Sequence, residues 1–478
     1  MAYFVLPNTK EPGDRPVGSR IRQFEAESKF VGHLSLQAID RAVPHAEILA
    51  AVEQEGAREQ RARKLSAVAT MLLIIAMNIF THLSMADVLT KLAQGPRYVW
   101  PEPDYDVAGK GAISHRRYQL GARPLVALFR RVCRPLAKPE TPAAFLFGRR
   151  LMAIDGTTEN VPDTPENVAA FGRWHNHRGP GAFPQVRVVY LAECGTHAIV
   201  DAGFWPIRTS ERKGALRMLR SVKPGMLVLT DRGLFEYDLI EGIVQRQSDV
   251  LARLPSPVKA QPVQSLEDGS YLAYIYPSDQ RRRRRGEHCL VRVIEYTIDD
   301  PARSGHGERY RLVTTLLDAK AYPALDLVCA YHERWEVEIA IDEIETHQRL
   351  LDRPLRSQKP VGVIQELYGL LIAHYAIRFL MHEAAVQAGV DPDRISFVQA
   401  LRVLQNAIPE FEMTAPEQLP LLYERLLHDL ADDLLPARRN RISPRVVKRK
   451  MSNFKLKRSQ HYRWPQPQKP FQQAVALI

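Results

Sequence analysis

Beyond an N-terminal stretch whose apolar residues recur at helical spacing, the chain changes texture at Arg149, and this change limits the fold more than any other feature of the sequence. Short runs rich in β-branched and aromatic residues begin there: Leu151 to Ile154, Val186 to Leu191, His197 to Phe204 and Met226 to Thr230. Such runs, bounded by polar and turn-forming residues, predict strands. A helical pattern over Glu211 to Ser221 separates the last two, and another follows over Leu234 to Gln245. Further strands are predicted around Tyr271 to Tyr276, His288 to Ile298 and Arg309 to Leu317, with the pentad Arg281 to Arg285 at a hairpin tip. From Tyr322 the pattern is helical again, through Glu338, then over Val363 to Ala385 and Phe397 to Leu434.

Three neighbouring strands, a helix, and then a strand followed by an acid is the order of an RNase H-like core. The expected class is α/β: a mixed sheet flanked by helices, with an inserted antiparallel β unit. A chain of 478 residues is too long for one compact core. The expected division is an N-terminal arm over 1–34 and a helical N-terminal, DNA-binding domain over 35–145. An RNase H-like domain over 146–390, with its β insertion at about 254–317, and a helical region with a basic tail over 391–478 complete it. The apolar stretch Ala67 to Phe80 is interrupted by Thr70 and Asn78 and falls short of the roughly 20 residues a bilayer span needs, so it reads as a buried helix. No membrane is expected.

Charge then narrows the partners. The formal net charge of +12 favours a polyanion, because Lys and Arg gain affinity for phosphates by releasing condensed counterions. RNA or anionic lipid would satisfy the charge equally well, but the basic residues form no amphipathic helix with a strong apolar face. After Asp433 there is no acid, while Lys and Arg occur twelve times, among them Arg441, Arg445, Lys448, Arg449 and Lys450. Arg58, Arg61, Arg63 and Lys64 make a second basic run, either a DNA-binding face or a solvated one. The four cysteines are far apart, with no C-x-x-C pair, which argues against a zinc site and a disulfide framework. With no leader pattern over Met1 to Arg20, a reducing cytoplasm is the expected compartment.

The candidate chemistry lies in carboxylates. Asp155 follows the strand Leu151 to Ile154, and Asp231 follows Met226 to Thr230. Adjacent parallel strands lie about 4.8 Å apart and would bring the two together. Carboxylates so placed repel unless a cation lies between them, and Mg²⁺ takes oxygen ligands. Singly, an Asp after a buried strand is a turn or cap residue, so the pair requires a third ligand. On a helix beginning at Tyr331, a step of about 100° per residue places Tyr331, Arg334, Glu338 and Glu345 on one face. Asp342 lies near it, so spacing alone leaves the third ligand open.

These residues resemble a known family. Asp155-Gly156-Thr157, Pro162-Asp163-Thr164-Pro165 with Asn167, Asp231-Arg232-Gly233, and Tyr331, Arg334 and Glu338 at their spacing look like the insertion sequence 4 family of DDE transposases, and the resemblance spans most of the chain. It implies that Asp155, Asp231 and Glu338 form a DDE triad holding two Mg²⁺ ions, with Mn²⁺ as a substitute. It also implies a β insertion in the long interval before Glu338, and Tyr331 and Arg334 as phosphate contacts. The implied partner is double-stranded DNA, as element ends and target, bound by a homodimer in the synaptic complex and associated with a bacterial nucleoid. Tyr310 stands where a hairpin-forming relative has a base-stacking Trp; an ordinary strand aromatic is the other reading. The family signature ends in Lys seven residues after the glutamate, and here that position is Glu345, with Arg349 near enough in sequence to pair with it. Two further readings are open: an RNase H-like nuclease that does not join strands, and a descendant that only binds DNA.

Overall fold

The computed structural model describes residues 36–59, 65–99, 108–176, 179–303, 305–332, 334–349, 353–435, 467 and 469–478. The N-terminal part is helical: α1 (His45–Gln54), α2 (Ala67–Ile79), α3 (Met85–Val99), α4 (Lys110–Leu120) and α5 (Arg123–Val132). Pro44 opens α1, and the Ser66 side chain caps α2 by accepting from the Ala69 amide at 3.1 Å. As expected, α2 is buried almost throughout.

The sheet begins with β1 (Arg149–Asn160), β2 (Gln185–Glu193) and β3 (Ile199–Pro206), with α6 (Pro165–Phe171) in the β1–β2 connection. After β3 come α7 (Glu211–Met218), β4 (Met226–Thr230), α8 (Tyr237–Val244) and β5 (Asp249–Arg253). The sheet continues with β6 (Pro262–Ser265), β7 (Tyr271–Ile275), the short α9 (Gln280–Arg284), β8 (Cys289–Ile298) and β9 (Tyr310–Thr314). Its order is β3-β2-β1-β4-β5-β9-β8-β7-β6. β1, β4 and β5 are parallel neighbours and the other pairs in this order are antiparallel. This is the RNase H-like mixed sheet. β4 is buried along its whole length, which is why it reads as an unbroken apolar run.

One difference from the sequence reading has a physical cause. β5 was not foreseen, because Asp249–Arg253 has only three apolar residues, too short a run to stand out from the helix before it. The inserted antiparallel strands after it join the same sheet, since β9 pairs directly with β5 through Leu312 and Arg253.

Helices cover both faces. Met152, Ile154, Val189 and Val228 pack with Ala215 and Met218 of α7 and Ile240 of α8. Leu151, Ala153, Val188, Leu227 and Leu229 belong to the other core, with α10 (Ala324–His332), α11 (Trp335–Asp342), α12 (Pro360–Ala388), α13 (Phe397–Met413) and α14 (Leu419–Ala431). α12 is the one described helix with the length and apolarity of a membrane span, and it is largely buried in this core. Near the C-terminus Phe471–Ala474 forms one helical turn, and β10 (Val475–Leu477) pairs with β8.

Candidate active site

Side chains alternate along a strand, so the face of each residue follows from its parity. Leu151 and Ala153 face α10–α12, and so do Asp155 and Thr157, whereas Gly156 faces α7. β1 and β4 are in parallel register at Ile154 and Thr230, and their pairing stops there. Asp155 and Asp231 therefore stand side by side where the two strands part. Sequence reading placed Asp155 at the end of its strand, but β1 runs on to Asn160, paired with β2 alone. The polar text Gly-Thr-Thr-Glu-Asn has the composition of a turn while forming a strand paired with one neighbouring strand.

α11 brings in Glu338. Arg334 Nη2 donates to Glu338 Oε1 at 2.9 Å, and its Nη1 lies 3.6 Å from Asp155 Oδ2, so one guanidinium spans two of the three predicted acids. The Tyr331 hydroxyl donates to the Thr230 carbonyl at 3.3 Å, directly before Asp231, and Arg334 lies 5.9 Å from the Tyr331 ring centre. Burial pushes the Tyr331 phenol up to about 12. The Asp231 carboxylate accepts from the Leu234 amide at 2.9 Å.

Asp155 is raised to about 6, first by burial; the Gly156 amide and Arg334 oppose the rise, and Asp231 and Glu211 add to it. Glu211 was not foreseen. It opens α7, and its carboxylate lies where a Cβ on Gly156 would be, 2.6 Å from Oε1. Burial raises its carboxyl as well. An acid just after the cap Ser210 is common in a first helical turn, so nothing marks Glu211 in the sequence beyond its place after the third strand.

Glu345 lies past the end of α11. Residues Glu343–Gln348 form a π-helix, whose wider turn breaks the 100° step. Glu345 accepts from Thr157 Oγ1 at 2.6 Å, and burial raises its carboxyl. Arg349 pairs with Glu159, not with Glu345.

Tyr310 stands at the start of β9, two strands from β4, and Arg253 is within electrostatic reach of both Tyr310 and Tyr331. Its ring stacks on Tyr296 at 5.2 Å, Arg253 lies 4.6 Å over it, and a base would have to share it with these two. Arg281 to Arg285 do form the connection between two antiparallel strands, but as the helical turn α9. Arg282 is not free for phosphate: Asp238, Glu241 and Glu287 hold it, whereas Arg281, Arg284 and Arg285 are exposed. Arg58 pairs with Glu53 at 3.3 Å. Arg61, Arg63, Lys64, Arg441, Arg445, Lys448, Arg449 and Lys450 lie outside the described residues.

All candidate donors are carboxylate oxygens, the ligand set of a hard divalent cation. The chemistry of the residues fits such an ion. Among the described residues no three such side chains are drawn to a common point, since Arg334 lies between Asp155 and Glu338.

Residues 33–130 match the family described as insertion element 4 transposase N-terminal, and residues 146–375 match the transposase DDE domain. The chain belongs to the insertion sequence 4 family of DDE transposases. The transposase InsG for insertion sequence element IS4 of Escherichia coli (strain K12) is 28% identical over 347 residues, or 70% of this chain and 76% of the relative. A probable transposase for insertion sequence element IS5377 of Geobacillus stearothermophilus is 23% identical over 310 residues, 64% of this chain and 74% of the relative. The transposase is accordingly a DNA nuclease and strand transferase of cut-and-paste transposition, of a family that generally uses a divalent metal.

Proposed function

We propose that Asp155, Asp231 and Glu338 are the acids that carry cleavage and strand transfer. The observation behind this reading is the register of β1 and β4, which sets Asp155 beside Asp231, together with Arg334 spanning Asp155 and Glu338. These three would hold Mg²⁺, two ions per site, which supply activation of water or a 3′-hydroxyl and stabilisation of the leaving oxygen. Tyr331 and Arg334 orient the phosphate: Arg334 stands between the acids with the charge to attract it, and the phenol, tied to the Thr230 carbonyl, keeps Arg334 and the Asp231 strand end in fixed relation. Both reactions are in-line displacements at phosphorus, so one site serves both.

The partner is double-stranded DNA, as element ends and target, within the bacterial cytoplasm and nucleoid. Two ends are joined by a homodimer in the synaptic complex. Arg281, Arg284 and Arg285 at the insertion tip supply phosphate contacts, with Arg282 as their anchor on α8. The basic tail adds Arg441, Arg445, Lys448, Arg449 and Lys450.

A two-plasmid transposition assay tests the triad. Asp155→Ala, Asp231→Ala and Glu338→Ala should each reduce movement to background while leaving binding to end DNA measurable. Movement surviving in any one variant removes that residue from the triad.

A further inference from the structure

The site contains a fourth acid that the three-acid reading leaves unused. Glu211 comes from the opposite face of the sheet to α11, and Gly156 is what admits it. A Cβ at position 156 would meet Glu211 Oε1 at 2.6 Å and its Cγ at 2.9 Å, so no larger residue fits while Glu211 keeps this place. The Gly156 amide donates to Asp155 Oδ1 at 2.8 Å, and the Glu211 carboxylate lies against the same glycine. Glu211 is also within electrostatic reach of Asp231. A first-turn acid that served only the helix dipole of α7 would gain by facing water. Instead it is half-buried between Arg187, which favours its charge, and the like charges of Asp155 and Asp231, a repulsion that a shared cation would relieve.

We propose that Glu211 is a fourth carboxylate of the acidic centre, reaching through the gap at Gly156 to help hold the divalent cation bound by Asp155 and Asp231. The proposal rests on the assignment of those two aspartates as metal ligands. It gives the Asp155-Gly156-Thr157 text a structural reading residue by residue. Asp155 faces the centre, Gly156 opens the sheet to Glu211, and Thr157 fixes Glu345 on the other face.

The test measures Mn²⁺ binding to the full chain by isothermal titration calorimetry, with no DNA present. Glu211→Gln keeps the length of the side chain but removes the charge. It should weaken Mn²⁺ by about tenfold or more, the scale on which groups flanking a metal act. Glu211→Asp retains the charge and should recover part of that loss. Binding of end DNA without metal should be unchanged in both. Mn²⁺ affinity within about twofold of the parent in Glu211→Gln overturns the proposal, as does equal weakening in both variants, the mark of a purely structural role. Asp155→Asn measured alongside separates the two readings. If it abolishes Mn²⁺ binding while Glu211→Gln does not, only the role of Glu211 fails; if it leaves Mn²⁺ binding intact, the aspartate assignment fails.

Discussion

Asp155 is a carboxyl that the fold makes reluctant to ionise. Its folded value of about 6 exceeds the roughly 3.9 of an exposed Asp, with burial the largest cause and Asp231 and Glu211 adding to it. A carboxyl raised in the folded state contributes stability that is complete below about pH 4 and is lost as pH rises through about 6. Above that range the charged side chain works against folding, by at most about 3 kcal/mol at about 1.4 kcal/mol per pKa unit. Asp155→Asn should therefore raise the melting temperature of metal-free protein by a few degrees near pH 8 and have little effect near pH 4. Thermal melts at both pH values check this. No gain near pH 8, or an equal gain at both, would contradict the account. The stabilised variant is also one expected not to transpose, as follows when like charges are crowded for chemistry rather than for folding.

The element on which the site depends most is the helix that begins as α11 and widens into the π-helix Glu343–Gln348. Glu343, at the change of pitch, is buried with Arg378 and His374 of α12 and His197 of the β2–β3 turn. Burial opposes its charge, but Arg378, His197 and His374 outweigh burial and hold the carboxyl well below its usual range. Removing one partner of such a group strands a buried charge, so Arg378→Met should cost about 3–5 kcal/mol in urea unfolding. The double change with Glu343→Gln should cost less than Arg378→Met alone. A loss under about 1 kcal/mol in the single variant would show that water or another group compensates. The same helix marks how far the sequence could be read. Tyr331, Arg334 and Glu338 were legible from the spacing of the family they resemble rather than from one helical period, since Tyr331 ends α10 and Arg334 stands just before α11; Glu345 lies in a π turn, whose extra residue has no periodic signature. β1, β2, β3 and β4 were legible from β-branched runs, whereas β5 was too short to notice. Glu211 was illegible for another reason: its importance depends on a missing Cβ 55 positions earlier, on a strand that α7 packs against.

At the scale of the molecule, the N-terminal helices do not close a core of their own. Ile74, Met71 and Leu72 of α2 share one apolar core with Leu367, Leu370 and Leu371 of α12 and with Leu404 of α13. The approach is close enough to need a glycine: a Cβ on Gly369 would lie 2.7 Å from Ile74 Cγ2 and 2.9 Å from the Ile74 carbonyl. Polar ties cross the same boundary, as Arg117 donates to the Gly362 carbonyl at 3.1 Å and Gln365 to the Arg117 carbonyl at 2.7 Å. A fragment of residues 36–145 would expose the apolar side of α2 that α12 covers, a surface worth about 25 cal/mol for each Å² returned to water. It should therefore show no cooperative urea transition by circular dichroism, although the full chain does. A sharp transition in the fragment would mean that these helices fold independently and only dock on α12. If the fragment fails to fold, DNA held by the N-terminal helices is held by the same packed unit that carries α11. The angle between an element end and the acids is then set by the fold itself rather than by a linker.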